Sequence, residues 1–198
     1  MENSGQISGY CLQLEKLKSI IYTANEKIIC ESPDKFIYEN ANFLTKSFLV
    51  IMCAYLESYI KDVLMVAINE INIRLDSTKL PHNLIKWALN QEKEFKDTEL
   101  KFENLKISIT KKKLDDFISG NPFRTNNLFK KFGIQLDKNE TFNAQKEKIS
   151  SIILKRNSVI HHNDEASDVS NEDLIENIEF MKKYIINIDK IVCNHLQC

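Results

Sequence analysis

The stretch FLVIMCAYLESYIKDVLMVAI, residues 48 to 68, decides the fold because it is apolar on nearly every side of a helix. Its charged residues are Glu57, Lys61 and Asp62. A helix that is hydrophobic all round is buried by other helices, so this stretch predicts the central helix of a bundle. Its most apolar part ends at Glu57 and is too short to span a bilayer, so we expect no contact with a membrane.

Further helices are predicted on both sides of this stretch by apolar residues at helical spacing and by capping residues. Ser32-Pro33-Asp34 is a helix-start signal, and Ser170 to Asp173 has the form of a capping box. The predicted helices cover approximately residues 7–29, 34–75, 81–95, 126–132, 142–160 and 171 onwards.

No alternating pattern typical of a strand is found, and the best candidate, KISIT at residues 106–110, is short. We therefore predict one all-α domain over residues 1–198, an up-and-down helical bundle. Residues 77–140 are interpreted as a partly irregular helical insertion between two core helix pairs.

The composition limits the classes of function. The net charge is −1, with 27 Lys and Arg against 28 Asp and Glu, so any nucleic acid must bind a local patch. The arginines are Arg74, Arg124 and Arg156. Five cysteines without a C-x-x-C pair favour free thiols over a metal site, and no cofactor is predicted. The polar N-terminal residues contain no signal peptide, which favours a cytoplasmic location.

The segment KRNSVIHH, residues 155–162, holds the candidate chemistry. Asn157 and His161 are four residues apart and share one face of a helix. Arg156 and His161 are five apart, which separates them by about 140° on a straight helix. Their side chains meet only if the helix frays or ends near His162, and the polar residues that follow favour such an end.

These residue types suit the cleavage of RNA through the ribose 2′-hydroxyl. Arg156 offers a permanent charge and several donors to a phosphate, His161 can transfer a proton near neutral pH, and Asn157 can hold an oxygen. Residue chemistry alone slightly favours a plainer interpretation, in which Arg156 forms a surface ion pair and His161 lies at a helix end.

The sequence R-N-S-V-I-H resembles the R-x4-6-H signature of the HEPN superfamily in its R-N-x-x-x-H form. The helix that contains AYLESYIKDVL, the segment from Gly120-Asn121-Pro122 to Ile134 and the capped last helix are similar to the RiboL-PSP-HEPN branch. The resemblance covers about residues 35–195.

This resemblance implies a metal-independent endoribonuclease in which Arg156 and His161 are catalytic and Asn157 supports them. It also implies a homodimer with two motifs facing one cleft, and a role as a toxin or in phage defence, with an antitoxin or defence-system partner. Some HEPN toxins carry a modified Tyr where this chain has Asn163, so that control is not expected here. His162 is a candidate accessory residue, although a solvated position is favoured.

Glu57 and two lysine clusters each allow a functional and a structural interpretation. Glu57 is a candidate partner that orients Arg156, although an exposed helix edge is slightly favoured. The clusters Lys111 to Lys113 and Lys130-Lys131 can steer RNA, although a solvated surface is favoured. His82 and His195 lack partners at metal-ligand spacing. The aromatic residues predicted to lie in the core are Tyr55, Tyr59 and Trp87.

Three functions remain open on the sequence. The first is an endoribonuclease, and the second is a catalytically inactive HEPN-like module that binds a partner protein or nucleotide. The third is a helical dimerisation domain. The complete set of Arg156, Asn157 and His161 favours the first, because a scaffold does not need it.

Overall fold

The computed structural model describes residues 4–89, 100–161 and 168–196, and the backbone alone at His161. These ranges contain eight α-helices and one short 3-10 helix, with no strand beyond an isolated bridge between Pro81 and Asn104. The all-α prediction is confirmed. The helices are α1 Ile7–Ile29, α2 Lys35–Glu39, α3 Ala41–Thr78, α4 His82–Ala88, α5 Lys111–Asp115, α6 Pro122–Lys130, α7 Glu140–His161 and α8 Asn171–Leu196, with the 3-10 helix at Leu136–Lys138.

The centre of the bundle is α3, which packs against α1, α7 and α8. Its buried residues lie on one broad face of the helix and include Leu49, Met52, Leu56, Ile60 and Leu64. Ile51 and Ala54 on the other side are exposed, so the burial is less complete than the all-round apolar sequence predicted. The predicted apolar face of α8, from Leu174 to Val192, is buried as well. Each fully buried aliphatic side chain of this kind contributes roughly 1.5–3 kcal/mol of transfer free energy.

The single helix predicted from residue 34 to residue 75 is wrong, because the chain forms two helices that meet at Asn40. Asp34 caps α2 by accepting a hydrogen bond from the amide of Ile37 at 3.1 Å. The Asn40 side chain donates to the carbonyl oxygen of Phe36 at 2.8 Å, and its backbone leaves the helical region at φ −107° and ψ 13°. Such local side-chain bonds compete with continuation of a helix.

The region between residues 77 and 140 contains short helices and extended chain. Residues 106–110 form no strand, and Ile107 instead exchanges two hydrogen bonds with the Asn72 side chain of α3, at 2.7 and 3.1 Å.

Trp87 is 60% exposed, so its predicted core position is wrong, because α4 packs closely on no other described helix. Tyr59 is buried as predicted, and Tyr55 is half-buried. The described α4 ends at Ala88, and the part of the predicted helix from residue 90 to residue 95 falls outside the described residues.

Capping residues determine where the helices near the candidate site begin and end. The predicted helix at 126–132 begins earlier, at Pro122, because Asn121 accepts hydrogen bonds from the amides of Phe123 and Arg124. Gly133 follows α6 with a φ of 77°, a conformation that suits glycine. The capping box of α8 is confirmed, since the Ser170 hydroxyl accepts from the amide of Asp173 at 3.0 Å.

A buried carboxylate ties the start of the chain to the bundle, a feature that the sequence did not reveal. Asp189 of α8 is fully buried and accepts hydrogen bonds from the Tyr59 hydroxyl at 3.1 Å and the Ser4 amide at 3.0 Å. Burial and the nearby carboxylate raise the pKa of Tyr59, so that its hydroxyl remains a donor. None of the described helices combines the length and hydropathy needed to cross a bilayer.

Candidate functional site

Arg156 lies on the face of α7 that packs against α3, and its side chain is only 16% exposed. Its guanidinium forms an ion pair with Glu57 from the middle of α3. The Nε atom is buried and has no hydrogen-bond partner among the described residues. The predicted surface ion pair is therefore partly buried, which costs desolvation free energy and fixes the direction of the guanidinium.

Glu57 is held from a second side. Its Oε1 atom accepts a hydrogen bond from the backbone amide of Gly120 at 3.2 Å. The side chain is 32% exposed, so Glu57 lies partly buried at the edge of α3. Gly120 can approach because it lacks a side chain: a Cβ atom there would lie 2.5 Å from Cδ1 of Ile153.

The thiol of Cys53 lies on the inner side of the Arg156 guanidinium. Burial raises the pKa of Cys53 to about 12, and the positive guanidinium offsets only part of that rise. The thiol is thus protonated at neutral pH. It provides packing beneath Arg156 and is not an activated nucleophile.

Arg156 and Asn157 both line one polar cavity of about 410 Å³. Ser119 and Arg124, from the loop before α6 and its first turn, line the same cavity, and so does Glu57 of α3. Two arginines against one carboxylate leave this cavity with an excess of positive charge. It suits an anionic ligand such as a phosphate.

A family model described as RiboL-PSP-HEPN matches residues 10–194. The chain belongs to the RiboL-PSP-HEPN family. The match begins inside α1, earlier than residue 35, where the resemblance in the sequence began. The first helix of the bundle is thus part of the family domain. Searches of curated proteins and of solved structures found no match to the chain.

The remaining members of the sequence motif lie at the end of α7 in this RiboL-PSP-HEPN chain. His161 is the last helical residue, one turn after Asn157, and its side chain falls outside the described residues. His162 and Asn163 also fall outside the described residues. The convergence of Arg156 and His161 therefore stays a prediction.

Arg124 lines the same cavity, and sequence analysis singled it out only as one of three arginines. The sequence feature that could have indicated its position is the helix start at Asn121 and Pro122, which puts Arg124 in the first turn of α6. Lys111 and Lys130 form ion pairs with Asp62 and Asp137, away from this cavity. No group of three or more His, Cys, Asp and Glu side chains with metal-site geometry occurs among the described residues.

Proposed function

We propose that this protein is a metal-independent endoribonuclease that cleaves RNA through attack by a ribose 2′-hydroxyl. The observation that carries the proposal is the fixed guanidinium of Arg156, directed with Asn157 into a cation-rich cavity one helical turn before His161. The resemblance of R-N-S-V-I-H to the HEPN ribonuclease motif supplies the reaction class.

The proposed reaction is a transesterification. A base takes the proton of the 2′-hydroxyl, the 2′-oxygen forms a bond to the adjacent phosphorus, and the bond from phosphorus to the 5′-oxygen breaks. An acid returns a proton to that oxygen, which leaves a 2′,3′-cyclic phosphate and a 5′-hydroxyl. His161 performs one of the two proton transfers, and Arg156 stabilises the charge on the phosphate oxygens.

Glu57 and Asn157 have supporting roles in this proposal. Glu57 holds the guanidinium through one edge and leaves other N–H groups for the phosphate. Asn157 donates to a second phosphate oxygen from the next position on α7. A preformed donor set of this kind costs little reorganisation when negative charge develops.

The proposed nuclease is expected to form a particular assembly and to have a particular biological role. We expect a homodimer, whose mass light scattering measures directly, and in it the Arg156 residues of both copies face one groove. We also expect the activity to serve as a toxin or in defence against phage, controlled by an antitoxin or other defence-system partner. Growth arrest on expression of the wild-type chain, absent with the His161→Ala variant, supports this role.

The test is cleavage of labelled single-stranded RNA by the purified chain in EDTA. We expect cyclic-phosphate ends by mass spectrometry, and a loss of at least about 100-fold in rate for His161→Ala and for Arg156→Ala. Exposed Lys16 of α1 provides the control variant Lys16→Ala, which retains the rate.

Three results contradict the proposal: equal cleavage by wild type and both variants, cleavage that requires added Mg²⁺, or no cleavage. In the last case the same cavity fits a module that binds a nucleotide, because two arginines there suit a phosphate. Binding of a mononucleotide that is lost in Arg156→Ala then supports that second function.

A further inference from the structure

The cavity that contains Arg156 shares lining residues with a second cavity, which in turn shares lining residues with a third. A second cavity of about 270 Å³ shares Ser119 and Arg124 with the first and extends to Lys131. A third, of about 350 Å³, shares Lys131 and Phe117 with the second. We call these three neighbouring cavities the trough.

Cationic side chains are spaced along the whole trough. Arg156 lies in the first cavity, Arg124 borders the first and second, and Lys131 borders the second and third. Lys113 adds a fourth positive charge in the third cavity, and Asp116 is an acidic lining residue of the second. Such a line of positive charge tracks a polyanion rather than a single small anion.

Arg124 has a position that the fold alone does not explain. It lies in the first turn of α6, which contains no acidic residue, although the positive end of a helix dipole disfavours a cation. Its side chain is exposed and forms no ion pair with any described residue. An arginine that opposes the helix dipole and lines two cavities is well explained by an anionic ligand.

The third cavity has a different character, because its walls are mainly aliphatic and aromatic. Ile68, Ile107, Phe117 and Phe132 line it, and the Nζ atom of Lys131 lies 4.4 Å from the centre of the Phe117 ring. An apolar wall with aromatic side chains and a cation at its edge suits a nucleobase attached to a phosphate.

We propose that the trough binds the single-stranded RNA that flanks the scissile bond on one side. Arg124 holds the phosphate next to the one at Arg156, Lys131 holds a more distant phosphate, and the apolar cavity accepts a base. Arg124 and Lys131 are separated by about 10 Å along α6, at 1.5 Å per residue, so they contact different nucleotides. This inference rests on the proposed function and makes Arg124 a residue that positions the substrate.

The test measures binding of a fluorescent single-stranded DNA oligonucleotide, which lacks the 2′-hydroxyl and is therefore not cleaved. We expect Arg124→Gln to weaken binding at least about fivefold. We also expect it to reduce the magnitude of the slope of log K against the logarithm of salt concentration by about 0.7. Arg124→Lys restores part of the affinity. Lys16→Gln removes the same charge from α1, outside the trough, and retains wild-type affinity and slope.

A second measurement separates substrate positioning from damage to the fold. On a long RNA, Arg124→Gln raises KM at least fivefold and lowers kcat by less than twofold, whereas a disturbed site lowers kcat as well. Equal affinity and equal salt slope for wild type and Arg124→Gln overturn the trough and leave the nuclease proposal intact. Arg124-dependent binding without any RNA cleavage supports the trough and overturns the nuclease.

Discussion

The guanidinium of Arg156 in α7 is ion-paired with the carboxylate of Glu57, which lies 99 residues earlier in the middle of α3. The same carboxylate oxygen accepts the amide hydrogen of Gly120 in the loop before α6. One side chain of the central helix thus joins α7 to the loop before α6, and residues of both segments line the candidate site. Because Glu57 directly follows the most apolar part of α3, its position is explained better by this role than by packing.

The first prediction concerns that carboxylate. Glu57→Gln keeps an oxygen for the Gly120 amide but removes the charge that orients Arg156. We expect RNA cleavage to fall about tenfold and the free energy of unfolding to fall by about 1–3 kcal/mol, because a partly buried guanidinium loses its charged partner. Single-turnover cleavage and urea unfolding measure the two effects.

The matched control is Glu147→Gln, which removes the same charge from an exposed position on α7. We expect this variant to change the unfolding free energy by no more than about 0.5 kcal/mol. If Glu57→Gln cleaves RNA as fast as wild type, Glu57 does not orient Arg156.

The second prediction uses the close approach of Gly120 to Ile153. A Cβ atom at residue 120 meets Cδ1 of Ile153 at 2.5 Å and Oε1 of Glu57 at 3.5 Å. We expect Gly120→Ala to destabilise the protein by about 1–3 kcal/mol, because the buried isoleucine must move. Ile153→Val removes the clashing Cδ1 atom, so the double variant recovers stability and cleavage relative to Gly120→Ala alone.

This double-variant cycle distinguishes the contact from a general loss of flexibility. A favourable coupling between the two substitutions, measured by urea unfolding, supports the packing argument. Strict additivity of the two free-energy changes contradicts it.

The sequence predicted those parts of the fold that depend on local patterns. The all-round apolar stretch identified α3 as the central helix, and Ser170 with Asp173 marked the start of α8. The break at Asn40 was missed because the apolar spacing continues on both sides of it. Trp87 was misplaced because a helical pattern does not show whether another element covers that helix.

The candidate site was predictable within α7 and, as one of two interpretations, at Glu57 of α3. Arg156 and Asn157 were found as neighbours in a motif, and Glu57 was proposed because a charge in a buried helix needs a partner. Gly120 and Arg124 were not assigned to the site, since their approach depends on how the loop before α6 packs against α3 and α7. A spacing rule along one helix cannot reveal contacts between segments that are distant in sequence.

The third prediction concerns the buried carboxylate of Asp189. Asp189→Asn replaces one acceptor oxygen by a donor NH₂ group, which leaves the donors of Tyr59 and Ser4 poorly satisfied. We expect a loss of about 2–3 kcal/mol in the free energy of unfolding. Tyr59→Phe removes a single donor and leaves the Ser4 bond, so its loss is smaller, about 1 kcal/mol. A larger loss for Tyr59→Phe than for Asp189→Asn contradicts this assignment.

The fourth prediction is a dependence of stability on pH at Asp62. Burial raises the pKa of Asp62, but hydrogen bonds from Lys111 and Tyr10 outweigh burial and hold that pKa below its ordinary value. A carboxyl group with a depressed pKa stabilises the folded state above its unfolded pKa of about 3.9. This stabilisation is lost as the pH falls through the lower pKa of the folded state.

Asp62→Asn removes the titrating group and therefore tests that sign. We expect the variant to be less stable than wild type at pH 6, and the difference in the free energy of unfolding to shrink as the pH falls below about 4. Urea unfolding at pH 6, 4 and 3 measures the difference. A difference that stays constant over this range shows that the ionised carboxylate is not the stabilising form.

The fifth prediction tests whether the thiol beside Arg156 takes part in chemistry. Burial raises the pKa of Cys53 to about 12, so the thiol is protonated at pH 8, and its side chain is fully buried. Exposed Cys30 lacks this protection. We expect a maleimide to modify Cys30 rapidly and Cys53 only after unfolding, as measured by peptide mass spectrometry.

Cys53→Ala then retains RNA cleavage within about threefold, because a buried protonated thiol contributes packing beneath Arg156 and no nucleophile. Rapid modification of Cys53 in the folded chain, with loss of cleavage in step with it, requires a thiolate at the site and contradicts a reaction that proceeds only through Arg156 and His161.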